Sequence, residues 1–422
     1  ALDLAQQAAL PALEAASSRT AGAALRVLGR FDEALSHFEQ AISAAKSAQQ
    51  PYQEAAAWTA WSSLQVRRGH WPSAIAALEP VVTGFEQTGP VFRLAMALND
   101  LGLAFAAGGQ LTQAQSCFER TLALTREIDE RPGQVPPLFN LALVLVAMGD
   151  WRRAEVLADE AIALAVEVQD GYFQTRGWLA RARAALISGD LATAQRAGAA
   201  ADEAASARYP DLRAGVLAHR SALALHMAHA DEAAALAVQA VAEARATGDR
   251  CDLGLALVCQ GLAREAQGML DDAEAGYREC TLLDAAMGER WDARAGLARV
   301  ALARGRPREA LAEAEPILAR LWAAQEAGES GHGLAPSEEP LRVYLTCYHV
   351  LAAAEDVRAT RVLERAAALL AASAEPFDDP IRRRDCLEAN PVHRAIHTGW
   401  QKFGQGLGQG RAQMQGQATA ED

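Results

Sequence analysis

The chain has little of what an enzyme, a secreted protein or a nucleic-acid binder is built from. Its 40 Lys and Arg are outnumbered by 53 Asp and Glu, giving a net charge of −13 over 422 residues. Such a surface repels phosphate backbones, whose non-specific binding rests on the opposite sign, so direct nucleic-acid binding is not expected. Cysteines are few, and Cys117, Cys251, Cys259, Cys280, Cys347 and Cys386 form no Cys-x-x-Cys pair. They read as buried free thiols of a reducing cytoplasm. No run of about 18 apolar residues exists, and residues 1–16 lack a basic region followed by an apolar one, so neither a membrane span nor a signal peptide is expected. The Gly-x-x-x-x-Gly-Lys-Ser/Thr, His-Glu-x-x-His and Gly-x-Ser-x-Gly patterns are all missing. Nothing therefore nominates a nucleophile, an acid–base pair or a cofactor ligand, and the chain reads as non-catalytic and without a cofactor. Aromatics make up 6% and β-branched runs are scarce, which argues against a sheet.

What the chain does have is alanine and leucine in a helical rhythm. Residues 98–122 (LNDLGLAFAAGGQLTQAQSCFERTL) read as two helices and a tight turn. Leu98, Leu101 and Phe105 make one apolar face, with Gly102 where a side chain would push a neighbouring helix away. Gly108 and Gly109 break the first helix, and Ala114 and Phe118 open a second apolar face four residues apart. The set Leu98, Leu101, Gly102, Phe105, Ala114, Phe118 resembles the tetratricopeptide repeat.

The turn glycine serves as a ruler. Gly29, Gly69, Gly109, Gly149 and Gly189 lie 40 residues apart, each followed five residues later by Ala34, Ala74, Ala114, Ala154 or Ala194. The series continues through Ala228/Ala233, Gly268/Ala273 and Gly305/Ala310 to a degraded Glu355/Thr360. Small residues recur where paired helices must touch, at Gly22, Ser62, Gly102, Ala142, Ala182, Ser221, Gly261 and Ala298. The expectation is an all-α, right-handed superhelical solenoid of about nine antiparallel helix pairs. Residues 1–10 would be the end of a truncated preceding repeat, implying a longer parent chain. Eight repeats would fill 11–322, a surface loop 323–339, and a degraded ninth repeat with capping helices 340–400. A disordered tail would fill 401–422. Four loop-favouring residues, Pro132, Gly133, Pro136 and Pro137, predict that the first helix of unit four starts late. Arg181 and Arg220 stand where leucine is usual, which requires either a rotated apolar face or side chains lying along the groove.

Near the C-terminus, Ile381, Arg382, Cys386, Leu387, Asn390, Pro391, His393, Arg394 and Ile396 resemble the closing motif of large bacterial signalling proteins. In these, a cyclase or kinase module and an AAA-type or STAND-type ATPase precede a C-terminal tetratricopeptide region. The resemblance implies that any catalytic module lies upstream, and that this chain is a cytoplasmic interaction scaffold or sensor. Its partner would be a protein or peptide, or the parent's own upstream modules.

Two groups of residues merit weighing as sites. His219, His226 and His229 have spacings that place them near one helix face, but no cysteine or further histidine is close in sequence, so a polar face outweighs a zinc site. The concave groove is the better candidate. The ruler places Met96, Asn99, Leu103, Asn140, Leu143, Arg176, Arg183, Arg299, Arg342 and His349 on the inner face. The arginines among them suit an acidic or carboxylate-ended segment. An open groove with an apolar floor would favour a peptide-binding scaffold. A deep polar pocket would instead favour the small-ligand sensor of a STAND-type regulator. An enzyme with the groove as its active site is the remaining alternative.

Overall fold

The computed structural model of the chain describes residues 10–27, 30–284, 291–327, 332–334 and 337–403. The described residues are helical throughout, with no strand among them. The helices alternate as first and second members of nine pairs. The first members are α1 (Pro11–Val27), α3 (Pro51–Arg67), α5 (Val91–Ala107), α7 (Arg131–Met148), α9 (Gly171–Ile187), α11 (Arg213–His226), α13 (Arg250–Ala266), α15 (Trp291–Ala303) and α17 (Pro340–Ala353). The second members are α2 (Phe31–Ser47), α4 (Trp71–Thr88), α6 (Leu111–Glu127), α8 (Trp151–Glu167), α10 (Leu191–Arg208), α12 (Ala230–Thr247), α14 (Leu270–Asp284), α16 (Pro307–Glu326) and α18 (Arg358–Ala374). Then come α19 (Pro380–Glu388) and a final helix over 391–403. Every described ruler position from Gly69 to Glu355 has a left-handed backbone, including Ala228 (φ 63°) and Glu355 (φ 54°), which lack the glycine that makes this conformation inexpensive.

Packing within a pair is tightest where the first helix carries glycine. The small residue of each first helix faces a residue 16 positions on in the second. A Cβ at Gly102 would lie 2.7 Å from the Phe118 ring, and Gly22 and Gly261 meet Phe38 and Tyr277 in the same way. Where the first residue is Ser62, the sixteenth position is Leu78; where it is Ala142 or Ala298, the position is Ala158 or Ala314. All of these partners are fully buried. A large partner thus stands opposite the smallest residues, while at Ala142 and Ala298 both members are alanine and the crossing holds less side-chain volume.

Three expectations need correction. Helix α7 does not start late: it begins at Arg131 and contains all three prolines. Pro132 lies in the first turn, where backbone N–H groups have no intrahelical acceptor, and burial of Val135, Pro137, Leu138 and Phe139 offsets the donors lost at Pro136 and Pro137. Helix α16 runs on through Glu326, because Ala323-Ala324-Gln325-Glu326 are good helix formers and Ala324 is buried. Residues 401–403 belong to the last helix; the rest of the expected tail, 404–422, and the expected repeat end at 1–9 lie outside the described residues.

The superhelix comes round on itself. Arg67, at the end of α3, pairs with Asp249 ahead of α13 at 2.7 Å, joining units two and seven. Beside it, a Cβ at Gly248 would lie 3.4 Å from the Phe31 ring of α2. On the other side the chain end folds back onto units four and five. Arg382 donates to Glu155 at 2.7 Å and to Ser188 at 3.2 Å, and His393 stacks on Trp151 with 5.2 Å between ring centroids. Gly189 is required here, since a Cβ would lie 2.5 Å from the Asp385 carbonyl oxygen. Cys386 and Ile396 are wholly buried, and Asn390 accepts from the Val392 amide. The C-terminal motif is thus a clasp.

Candidate functional site

One closed superhelical turn encloses a cavity of about 420 Å³. First helices supply nearly all of its lining, but at changing depth. It takes Arg26 and Arg67 from the C-terminal ends of α1 and α3, Phe139 and Leu143 from the middle of α7, and residues along all of α9. It ends on Asp292 of α15 and on Arg342 and Val343 near the start of α17. Successive first helices are therefore offset, and the cavity crosses them diagonally.

That diagonal sorts the sequence-derived residues. Leu103, Leu143, Arg176, Arg183, Arg299 and Arg342 line the cavity; Met96, Asn99, Asn140 and His349 do not. Asn140 Nδ2 donates to Asn99 Oδ1 at 3.0 Å, so the two buried amides satisfy each other between neighbouring first helices. Met96 lies nearly two turns before Leu103, short of the cavity, and His349 is exposed near the far end of α17. A ruler of constant register fails here because it assumes the ligand-facing level stays the same in every unit. Arg181 and Arg220 take neither of the courses foreseen. They pair with Asp159 at 3.0 Å and with Asp202, both on the preceding second helix, away from the cavity. The three histidines diverge as well. His219 lines the cavity, His226 is bonded to the Ala222 carbonyl, and exposed His229 faces Glu232 at 3.4 Å. Among the described residues no group of His, Cys, Asp and Glu could hold a metal ion.

Most of the expected inner basic face is neutralised from within the chain. Arg299 donates to both oxygens of Glu265 at 2.7–3.2 Å and to the Tyr277 hydroxyl at 3.0 Å. Arg183 pairs with Glu338, and Arg342 with Glu339 at 2.7 Å. These two glutamates belong to the segment expected to be a surface loop. Instead, residues 337–339 form an inner strap. The Asp292 carboxylate accepts from Ser337 Oγ at 2.8 Å, from the Glu338 amide at 3.0 Å and from the Glu339 amide at 3.4 Å. Just before it, His332 and Leu334 are buried, and His332 Nδ1 lies 3.2 Å from the Ala147 carbonyl. Charge explains the inward course, since an acidic pair next to three interior arginines is better compensated inside than a neutral loop would be. The Glu338-Glu339 pair ahead of Pro340 was the available sequence signal.

Arg176 differs from its neighbours. It has no ion-pair partner among the described residues, and its guanidinium lies 4.2 Å from the Phe139 ring centroid and within 6 Å of Tyr172 and Phe173. Burial lowers its pKa, with Arg67 adding to the effect and Tyr172, Asp252 and Asp211 opposing it, yet a guanidinium stays charged. Asp100 is the acidic counterpart. Burial pushes its carboxyl up to about 7, against a hydrogen bond from Asn99 and the charge of Arg26. Burial likewise depresses His219 to about 3, with Arg183 and His226 adding to the effect. For Glu339 burial acts upward but Arg342 and His226 outweigh it, holding the carboxyl at about 2. The remaining lining is largely aliphatic, from Leu179, Leu186, Leu255 and Leu262 among others.

Comparison with known proteins places the fold. Residues 93–165 match the sequence model of the tetratricopeptide repeat. No curated protein matches the chain in sequence. Among solved structures, a Rap protein complexed with competence and sporulation factor is similar with a TM-score of 0.54 at 12% identity, over 93% of this chain and 99% of that one. The apo form of RapI is similar with a TM-score of 0.52 at 11% identity, over 65% of this chain and 98% of that one. The chain is a tetratricopeptide-type all-α solenoid.

Proposed function

We propose that the chain is a sensor and interaction module whose interior cavity binds a short peptide or small ligand ending in a carboxylate. The observation that carries this reading is Arg176: an interior guanidinium on an aromatic platform, in direct ion pair with no described carboxylate where Arg183, Arg299 and Arg342 each have one, and with Asp211 and Asp252 acting on it only from a distance. A buried charge is costly without an opposite charge, and a carboxylate supplies both charge and paired acceptors. The volume of about 420 Å³ falls in the range of roughly 300–1,000 Å³ usual for small-molecule sites. The aliphatic lining suits an apolar body behind the charged end. The similar Rap protein was solved in complex with competence and sporulation factor, which supports reading this chain as a receptor for a factor. The resemblance of the C-terminal motif to that of bacterial signalling proteins supports placing the module in a cytoplasmic regulator, as a non-catalytic part.

Calorimetry with short apolar peptides, each as the free acid and as the C-terminal amide, tests this. The free acids should bind and the amides should not. Arg176→Gln should weaken the free acids by 1.5–3 kcal/mol, about what a hydrogen bond to a charged group contributes. Equal affinity for acid and amide, or for wild type and Arg176→Gln, would show that the anchor has been misassigned.

A further inference from the structure

We propose that the cavity has a second anion-accepting subsite, formed by Arg183, His219 and Arg342, and that Glu338 and Glu339 are its exchangeable intramolecular occupants. An acidic side chain of a ligand would bind there by replacing the strap. The inference rests on reading the cavity as a ligand site, and concerns a different end of it from Arg176. Three observations support it. First, the strap is seated the way a ligand is: two carboxylates on two guanidiniums, with its backbone held on Asp292 by two amide donors and a hydroxyl. Second, it fits the subsite incompletely. Arg183 Nε and His219 Nε2 are buried without a hydrogen-bond partner. An occupant with further acceptors would satisfy polar groups that the strap leaves unpaired. Third, protonation cannot release the strap near neutral pH, because Glu339 is held ionised down to about pH 2. Exchange with another anion is the remaining route, since simple departure would leave two partly buried guanidiniums unpaired.

The probe is a tetrapeptide of the strap's own sequence, acetyl-Ser-Glu-Glu-Pro-amide, supplied in trans. Its blocked C-terminus removes the terminal carboxylate assigned to Arg176, and Arg176→Gln checks that neither glutamate binds there instead. Wild type should bind it weakly. Asp292→Ala, which unfastens the strap but keeps both glutamates, should bind it more tightly, and Glu338→Gln with Glu339→Gln should bind it at least about tenfold more tightly, because the competing occupant is weakened. Adding Arg183→Gln should abolish either gain. In wild type at saturating peptide, the Glu338 and Glu339 amides should lose protection from hydrogen exchange. If the double glutamine variant fails to fold, Asp292→Ala and the wild-type exchange data decide. Equal binding by wild type and Asp292→Ala with strap amides still protected would overturn the proposal, as would a gain that survives Arg183→Gln. Arg176→Gln should leave tetrapeptide binding unchanged, so the two readings can fail separately.

Discussion

At the scale of the residue, two kinds of burial set how the chain responds to change. The first is steric. The Gly102–Phe118 crossing has no room for a Cβ, so Gly102→Leu should destabilise by roughly 1–3 kcal/mol through overpacking. Gly102→Ala with Phe118→Leu should recover part of what Gly102→Ala alone loses. A melting transition for Gly102→Leu that matches wild type would contradict the crossing. The second is electrostatic. Burial depresses His219 to about 3 and His332 and His393 to about 4, all below the ordinary value of 6.5. Their neutral forms are favoured in the fold, so unfolding takes up protons below pH 6.5 and stability falls as pH falls from there toward 4. Asp100, raised to about 7, acts in the opposite sense, because the folded state holds a proton that the unfolded state has lost above pH 3.8. Glu339, held low by Arg342, acts in the same sense as the histidines, so on balance unfolding takes up protons and stability falls between pH 6 and 4. Equilibrium denaturation at steps of half a pH unit measures this slope, and a flat profile would mean that these histidines are not buried in solution. The steric pattern was legible in part, because small residues recur in register at Gly22, Gly102 and Gly261, where the helices cross closely. The electrostatic pattern was not, because the partners of Arg183 and Arg342 sit on a segment with no repeat register.

At the scale of the element, the repeat explains the helices but not the pieces that join distant units. The positions of Leu98, Leu101 and Ala114 follow from local periodicity, since each packs within its own pair or against the next. The strap and the clasp depend on contacts with residues 45 to 227 positions away, which no local pattern encodes. Composition even misleads at the strap, where Gly, Ser, Pro and Glu point to solvent while interior arginines draw the acidic pair inward. In the clasp, Glu155 is buried and accepts from both Ser188 and Arg382. Arg382→Ala removes the nearer of two cations from a buried carboxylate, leaving Arg181 3.8 Å away, and should cost about 2 kcal/mol, below the roughly 3–5 of a pair broken outright. Adding Glu155→Gln should return part of that loss, as expected for directly coupled partners. Hydrogen exchange localises the effect: residues 380–403 should lose protection first, ahead of units one to three. Undiminished protection there in Arg382→Ala would mean that the Trp151–His393 stack holds the chain end by itself.

At the scale of the molecule, a solenoid is an open spring unless something closes it, because each repeat touches only its neighbours. Here units one and two meet units six and seven at a narrow seam, formed by the Arg67–Asp249 pair and by Phe31 against Gly248. Both members of the pair also line the cavity, so the state of the seam and the shape of the site are linked. Asp249 is nearly fully buried and has a second task, accepting from the Cys251 and Asp252 amides at the start of α13. Arg67 has no such helix-capping role, which makes it the cleaner position to change. Arg67→Glu would set two carboxylates face to face at the seam. At about 4 Å and an effective dielectric of about 20, like charges repel by roughly 4 kcal/mol, more than one Phe–Gly contact can offset. The expected outcome is an opened superhelix with its helices intact: a larger radius of gyration by small-angle scattering, unchanged helical circular dichroism, and faster ligand dissociation from the widened cavity. Arg67→Met, which removes attraction without adding repulsion, should fall between this variant and wild type, and high salt should narrow the gap between them. Identical scattering profiles for wild type and Arg67→Glu would show that the turn is held by the curvature of its repeats alone, and that the seam follows closure without causing it.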